Sequence, residues 1–143
     1  EAFFMPTTTV ENGRFSLMIR GEKLSQAQVA SGLDLTATSF IEQGSLLSRL
    51  PRIEATEDLW VHEISLTSPD GTDTALNDLL ETLLAHKPFL NALAAKCQIT
   101  LRLYVRSSRA HITYSLMPAT LQKLTEVGLP LELSSLSWGE FGV

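Results

Sequence analysis

Gln98 to Leu116, QITLRLYVRSSRAHITYSL, is the stretch whose reading decides the fold. Ile99, Leu101, Leu103 and Val105 alternate with Thr100, Arg102, Tyr104 and Arg106. After the polar Ser107 to Ala110 the alternation resumes, with Ile112, Tyr114 and Leu116 against His111, Thr113 and Ser115. Successive side chains of a strand point to opposite faces, so a period of two predicts a strand with one buried face. A hairpin with its loop over 107–110 pairs Val105 with Ile112, Leu103 with Tyr114 and Leu101 with Leu116. A slip of one residue would turn a whole strand inside out.

The apolar face of such a hairpin needs a cover, and the neighbouring segments supply it. Upstream, Leu76, Leu79, Leu80, Leu83 and Leu84 follow the i, i+3, i+4, i+7, i+8 spacing of a helix with a wide apolar stripe. Its start is read after the turn Pro69-Asp70-Gly71-Thr72, with Asp73 or Thr74 as the cap. Pro88 breaks the pattern, and Phe89, Leu90, Leu93, Ala94 and Cys97 repeat the spacing in a second helix. Downstream, Pro118 opens a helix with Leu121, Leu124 and Val127 on one face and Gly128 as its stop. Leu129 to Leu136 reads as a last strand, and Trp138 to Val143 as a short aromatic tail.

Farther upstream, Leu59 to Thr67 predicts a strand with Trp60, Ile64 and Leu66 on one face and His62 among them. Gly44 to Asp58 has no clear period and reads as a long loop, a length uncommon in compact domains. Leu33 to Phe40 is a second strand, weakened by Ser and Thr. Before it, Ser25 and Gln28 make a capping box with Leu24 and Val29 as its hydrophobic staple, and Gly32 is the expected stop of that short helix. Arg14 to Arg20 places Phe15, Leu17 and Ile19 on one face of a first strand. Gly32-Leu33-Asp34-Leu35 and Gly128-Leu129-Pro130-Leu131 echo each other, each after a strand and a short helix. The expected fold is therefore α+β: a mixed, mostly antiparallel sheet, helices packed on one face, and two β-α-β units around a central long helix.

At 143 residues with 44% hydrophobic composition, the chain is read as one folded domain over 14–143 behind a flexible lead-in over 1–13. Glu1 is not a translation start, so Met5 is expected to be the native one. A net charge of −5 disfavours nucleic acid, whose binding relies on Lys and Arg at phosphates. No apolar run has the length of a membrane span, and no basic start of a signal peptide is present. The single cysteine, Cys97, forms no internal disulfide. A cytoplasmic protein is expected on these grounds.

The pattern F-S-L-x-I-x-G at Phe15 to Gly21, then Gly44, Trp60, the leucine-rich helix followed by Pro88, and Pro118 to Gly128 before a final strand carry a resemblance. Together they resemble a widespread bacterial family of small domains labelled only as a domain of unknown function. The resemblance covers Arg14 to about Leu136 and departs from the pattern in lacking a proline after Leu35. Glycines, prolines and core leucines specify a fold and no chemistry, so it implies no catalytic residues. What such small acidic domains suggest is an immunity protein beside a basic toxin.

The residues themselves offer little chemistry. His62, His86, His111 and Cys97 stand singly, without C-x-x-C or H-E-x-x-H spacing, so neither a metal nor any other cofactor is expected. No G-x-S-x-G and no phosphate-cradling glycine loop occurs. Cys97 lies on an apolar helical stripe and is read as a buried, inert thiol. Two binding patterns remain. Glu54, Glu57 and Asp58, with Trp60 or Leu50 as an apolar anchor, are the candidate docking residues for a basic protein partner; a solvated surface is the plainer alternative. Arg102, Tyr104 and Arg106, beside His111 in the hairpin register, are candidates for holding a small anion, and a solvated sheet face is again the plainer alternative. The function these patterns support is non-enzymatic protein binding, with anion sensing as the alternative.

Overall fold

β1 (Asn12–Gly21) lies at the centre of the sheet, and its alternation explains why. Phe15, Leu17 and Ile19 on one face are fully buried, and Ser16 and Met18 on the other are nearly so. Phe15, Leu17 and Ile19 belong over the core, and the strands on both sides shield Ser16 and Met18 between the exposed Arg14 and Arg20, as a central position requires. The structure, a computed structural model, describes residues 12–66 and 71–140. After β1 come α1 (Gln26–Leu33), β2 (Ser39–Ile41), β3 (Leu46–Arg49), β4 (Arg52–Glu54), β5 (Asp58–Leu66), α2 (Gly71–Ala85), α3 (Lys87–Ala94), β6 (Gln98–Arg109), α4 (Pro118–Val127) and β7 (Leu131–Glu140).

Five strands form one sheet in the order β2-β5-β1-β6-β7, and β3 and β4 form a separate two-stranded ribbon. β1 runs antiparallel to both β5 and β6, and β2 antiparallel to β5, while β6 and β7 are parallel. The sheet is thus mixed and mostly antiparallel, and with four helices the chain is an α+β domain. β6-α4-β7 is a β-α-β unit with adjacent strands. β1-α1-β2 is a split one, because β5 lies between its two parallel strands.

All four helices cover the same face. Val29 and Leu33 of α1, Leu76, Leu79, Leu80 and Leu83 of α2, Leu90 of α3 and Val127 of α4 join Phe15, Leu17, Ile19, Trp60, Ile99, Leu101, Leu103 and Val105 in one core. The stripe over Leu76–Leu83 is buried as its spacing predicts. Pro88 starts α3 at its N-terminus, where a missing N–H costs nothing. Gly128 ends α4 at φ 73°, a left-handed position that glycine takes without strain. Lys123 ties α4 to α2 by bonds to Glu81 Oε1 (2.6 Å) and Asn77 Oδ1 (2.9 Å).

Several sequence expectations change. The hairpin over 98–116 does not form: β6 is one strand to Arg109, and both of its edges are taken by β1 and β7. No edge remains for Ile112 to Leu116, so Ile112, Tyr114 and Leu116 pack against the core outside the sheet. α1 starts as its capping box predicts, with Ser25 Oγ accepting the Gln28 N–H, but it runs past Gly32 and ends at Asp34 in the left-handed region. Gly32 serves contact instead, because a Cβ there would run into the Phe89 ring. Leu33 consequently closes a helix, and the second strand shrinks to Ser39–Ile41.

Asp73 and Thr74, the expected caps of α2, lie inside the helix. The helix begins at Gly71, so Asp73 lies within its first turn, and its Oδ1 accepts the Met117 N–H (2.7 Å) at the start of α4. The last strand begins at Leu131 and continues to Glu140, taking in the first part of the expected aromatic tail. Residues 1–11, 67–70 and 141–143 lie outside the described residues, and with them Thr67 of the expected strand and Pro69 and Asp70 of the expected turn.

Candidate functional site

Gly44 to Asp58, expected as a loop, folds into the ribbon. Its strands are four and three residues long, too short for a visible period in the sequence. They pair Leu46 with Glu54, Ser48 with Ile53 and Arg49 with Arg52, with an irregularity between Leu46 and Ser48. Leu50 and Pro51, joined by a cis peptide bond, form the tip. Two backbone bonds close the base, from Gly44 N to Ala55 O and from Ala55 N to Ser45 O, each 2.8 Å. The ribbon leans on the end of the sheet across a recess of about 200 Å³, lined by Arg20, Ile41, Leu47, Ala55 and Leu59 among others.

The ribbon carries an unusual load of exposed apolar side chains. Leu50 is 93% exposed, and Leu46, Leu47 and Ile53 are each about half exposed. Such side chains gathered on one small element, rimmed by Arg49, Arg52 and Glu54, are what protein interaction sites look like. Sequence reasoning named Leu50 as an anchor but missed Leu46, Leu47 and Ile53. The signal was present: a run of leucines and isoleucine in a segment without core periodicity.

The acidic group does not assemble as expected. Asp58 is 9% exposed and opens β5 opposite Gly21. Its two oxygens accept backbone N–H groups from separate loops, Leu24 N at 2.9 Å and Gln43 N at 2.8 Å. It therefore fixes the entry to α1 and the approach to the ribbon. Glu54 is held by Arg52, whose Nε and Nη2 donate to Oε1 at 3.1 and 2.8 Å. Glu57 is half-buried. Trp60 is fully enclosed, stacked near His62 at 6.5 Å between ring centroids, and is not available as an anchor.

The open face of the sheet collects the other candidate set. Arg102, Tyr104 and Arg106 share that face of β6, two residues apart, as the alternation predicts. Neighbouring strands add Arg14 opposite Tyr104 and Glu132 opposite Arg102. Arg102 donates from Nε (3.0 Å) and Nη2 (2.8 Å) to Glu132 Oε2. Arg14 lies over the Tyr104 ring, 4.9 Å from its centroid, and 3.6 Å from Glu63. Arg106 also has interactions of its own. His111, in the segment after β6, is exposed and does not take the place beside Arg106 that the hairpin would give it. Arginine and carboxylate thus alternate across the face, which lowers its affinity for a free anion.

The remaining reactive groups have structural surroundings. His62 Nδ1 donates to Thr36 O (2.7 Å) and His86 Nδ1 to Thr82 O (2.9 Å). Among the described residues no three His, Cys, Asp or Glu side chains stand where they could hold one metal ion. Cys97 is half-buried, with Sγ against Gly21, and burial raises its pKa above the ordinary thiol value. Less of it is thiolate at neutral pH, so its nucleophilicity is reduced. No described helix is long and apolar enough to cross a membrane.

These observations define a class: an α+β domain with a closed helical face, a charge-paired open face and a leucine-rich ribbon. The family model for a domain of unknown function (DUF4279) matches residues 10–138, and the chain belongs to that family. The match takes in the whole of the stretch that carries the sequence resemblance, Arg14 to about Leu136. No match to the chain was found among curated proteins or among solved structures.

Proposed function

We propose that this domain is a non-catalytic binding module that engages a protein partner in the cytoplasm through the β3–β4 ribbon. The observation that carries the reading is the exposure of Leu46, Leu47, Leu50 and Ile53 on one protruding element. Fully burying a leucine contributes roughly 1.5–3 kcal/mol; nearly all of that remains to be gained at Leu50, and about half at Leu46, Leu47 and Ile53, on contact with another surface. The sharpest form of the proposal is an immunity protein that neutralises a toxin. The net charge of −5 suits a basic partner, since opposite net charges speed encounter. Arg49 and Arg52 on the ribbon offset Glu54 and Glu57, so attachment rests on the leucines and long-range charge acts on approach alone. Anion sensing has less support, because Arg102 and Arg14 already face Glu132 and Glu63.

The test is co-expression of the full chain with the products of neighbouring genes, followed by co-purification. The wild type is expected to hold a partner that a Leu47→Ser, Leu50→Ser, Ile53→Ser variant loses while its thermal midpoint is kept. A partner retained by the triple variant would place the interface elsewhere.

A further inference from the structure

The two edges of the five-stranded sheet are unlike. β2 offers three residues, Ser39–Ile41, and short edges pair poorly with other chains. β7 offers ten, Leu131–Glu140, with β6 on one side only. One hydrogen bond fixes the direction of its backbone groups: Leu101 N donates to Pro130 O at 3.0 Å. Backbone groups alternate in direction along a strand. Pro130, Glu132 and Ser134 therefore face β6, and Leu131, Leu133 and Ser135 turn their N–H and C=O groups outward. Among the described residues nothing pairs with that outward row.

Exposed edges are ordinarily blunted by lysine, proline or a bulge. Residues 131–136 contain no lysine, proline or bulge, their one charge, Glu132, is held by Arg102, and the register shift against β6 comes only beyond Ser107, at the far end. Instead the strand exposes leucine on both faces, Leu133 at 60% and Leu136 at 48%.

We propose that β7 pairs antiparallel with β7 of a second copy about a twofold axis at Leu133, joining two sheets into one. Hydrogen-bonded pairs in an antiparallel ladder must join residues whose backbone groups point at each other. Placing Leu133 opposite its own mate sets Leu131 opposite Ser135, and all of these are outward-facing residues. Three such pairs give about six hydrogen bonds, two for each pair. The same register sets Leu136 opposite Pro130 and Glu132 opposite Ser134. Both exposed leucines gain apolar cover, and the strand's Glu132, already held by Arg102, meets a serine and no like charge. Centring the axis on Ser135 would set Leu133 opposite Ser137 and Leu136 opposite Ser134, leaving both leucines against serine. The edge is thus complementary in charge and apolar pattern to itself, which a closed two-fold contact requires.

The experiment is sedimentation velocity on the full chain from low to high micromolar concentration, with three variants. Wild type is expected to shift from the chain mass to twice that mass. Ser135→Pro removes an outward N–H and leaves the β6 ladder intact, and Leu133→Lys puts a charge on the axis. Both are expected to remain monomeric at every concentration while keeping the wild-type circular dichroism. In a Cys97→Ser background, Leu133→Cys should crosslink to a covalent dimer under diamide, because it faces its own mate. A wild type that remains monomeric throughout, or a dimer that survives both edge variants, would overturn the proposal.

Discussion

Leu101 and Leu50 are the same residue in strand-rich surroundings, yet one is fully enclosed and the other 93% exposed. Leu101 lies in β6, where β1 and β7 occupy both edges and the helices close one face. Leu50 lies at the tip of a ribbon that, among the described residues, has no third strand. The difference is one of layers. A two-stranded ribbon is marginal by itself, so it owes its shape to its closed base and to Asp58 behind it. Apolar residues in the sheet stabilise this chain. Those on the ribbon are exposed, and in the proposed function they meet another protein's surface.

Substitutions in the two regions should separate accordingly. The largest effect is expected at the centre: Leu103→Ala, at a fully buried position, should cost roughly 2–5 kcal/mol, read as a lower urea midpoint with an unchanged slope. Asp58→Ala comes next. It leaves the N–H groups of Leu24 and Gln43 without their acceptor, at roughly 1–3 kcal/mol by the same measurement. Because Asp58 joins the sheet to the ribbon base, hydrogen exchange should quicken at Gln43 and Gly44 in this variant more than in β6. Equal protection in both proteins would separate the ribbon from Asp58.

A smaller effect is expected at Glu81, where the hydrogen bond and charge of Lys123 lower the carboxyl pKa. A carboxylate with a lowered folded pKa adds stability above its unfolded pKa and loses it as pH falls through the folded value. Glu81→Gln should therefore be slightly less stable than wild type at neutral pH, and the gap should close at strongly acidic pH. A gap that stays constant with pH would mean that packing, and not the ion pair, is what the substitution disturbs.

The centre was legible in the sequence and the ribbon was not, for a physical reason. Periodicity reports burial, so Phe15, Leu17 and Ile19, the Leu76–Leu83 stripe, and Ile99 to Val105 announced themselves. Partners across the sheet are long-range facts. Alternation on both sides of Ser107 to Ala110 looked like two paired strands, yet β6 pairs with residues 78 to 94 positions earlier and about thirty later. Local pattern favours the nearest partner, and here two distant ones took both edges. The ribbon strands, four and three residues long, span no more than two repeats of the two-residue period, so they left only a segment of unexplained leucines.

The candidate site divided in the same way. The shared face of Arg102, Tyr104 and Arg106 followed from alternation alone. Their pairing with Glu132 and Arg14 required the sheet order. Asp58 and Trp60 looked available because neighbouring acidic residues suggested a surface. Their burial follows from strand β5 beginning at Asp58, beside β1.

Whether the ribbon leucines contribute little to the fold, as side chains kept for another protein should, is read from one paired unfolding measurement. Urea denaturation of Leu103→Ala is set beside that of a Leu47→Ser, Leu50→Ser variant. Substitutions at exposed positions usually lie within about 0.5 kcal/mol of wild type. A large fall in midpoint is expected for Leu103→Ala and, for the ribbon variant, a stability within about that margin for each change. A ribbon variant that unfolds as early as Leu103→Ala would contradict this expectation, and would make those leucines part of the core.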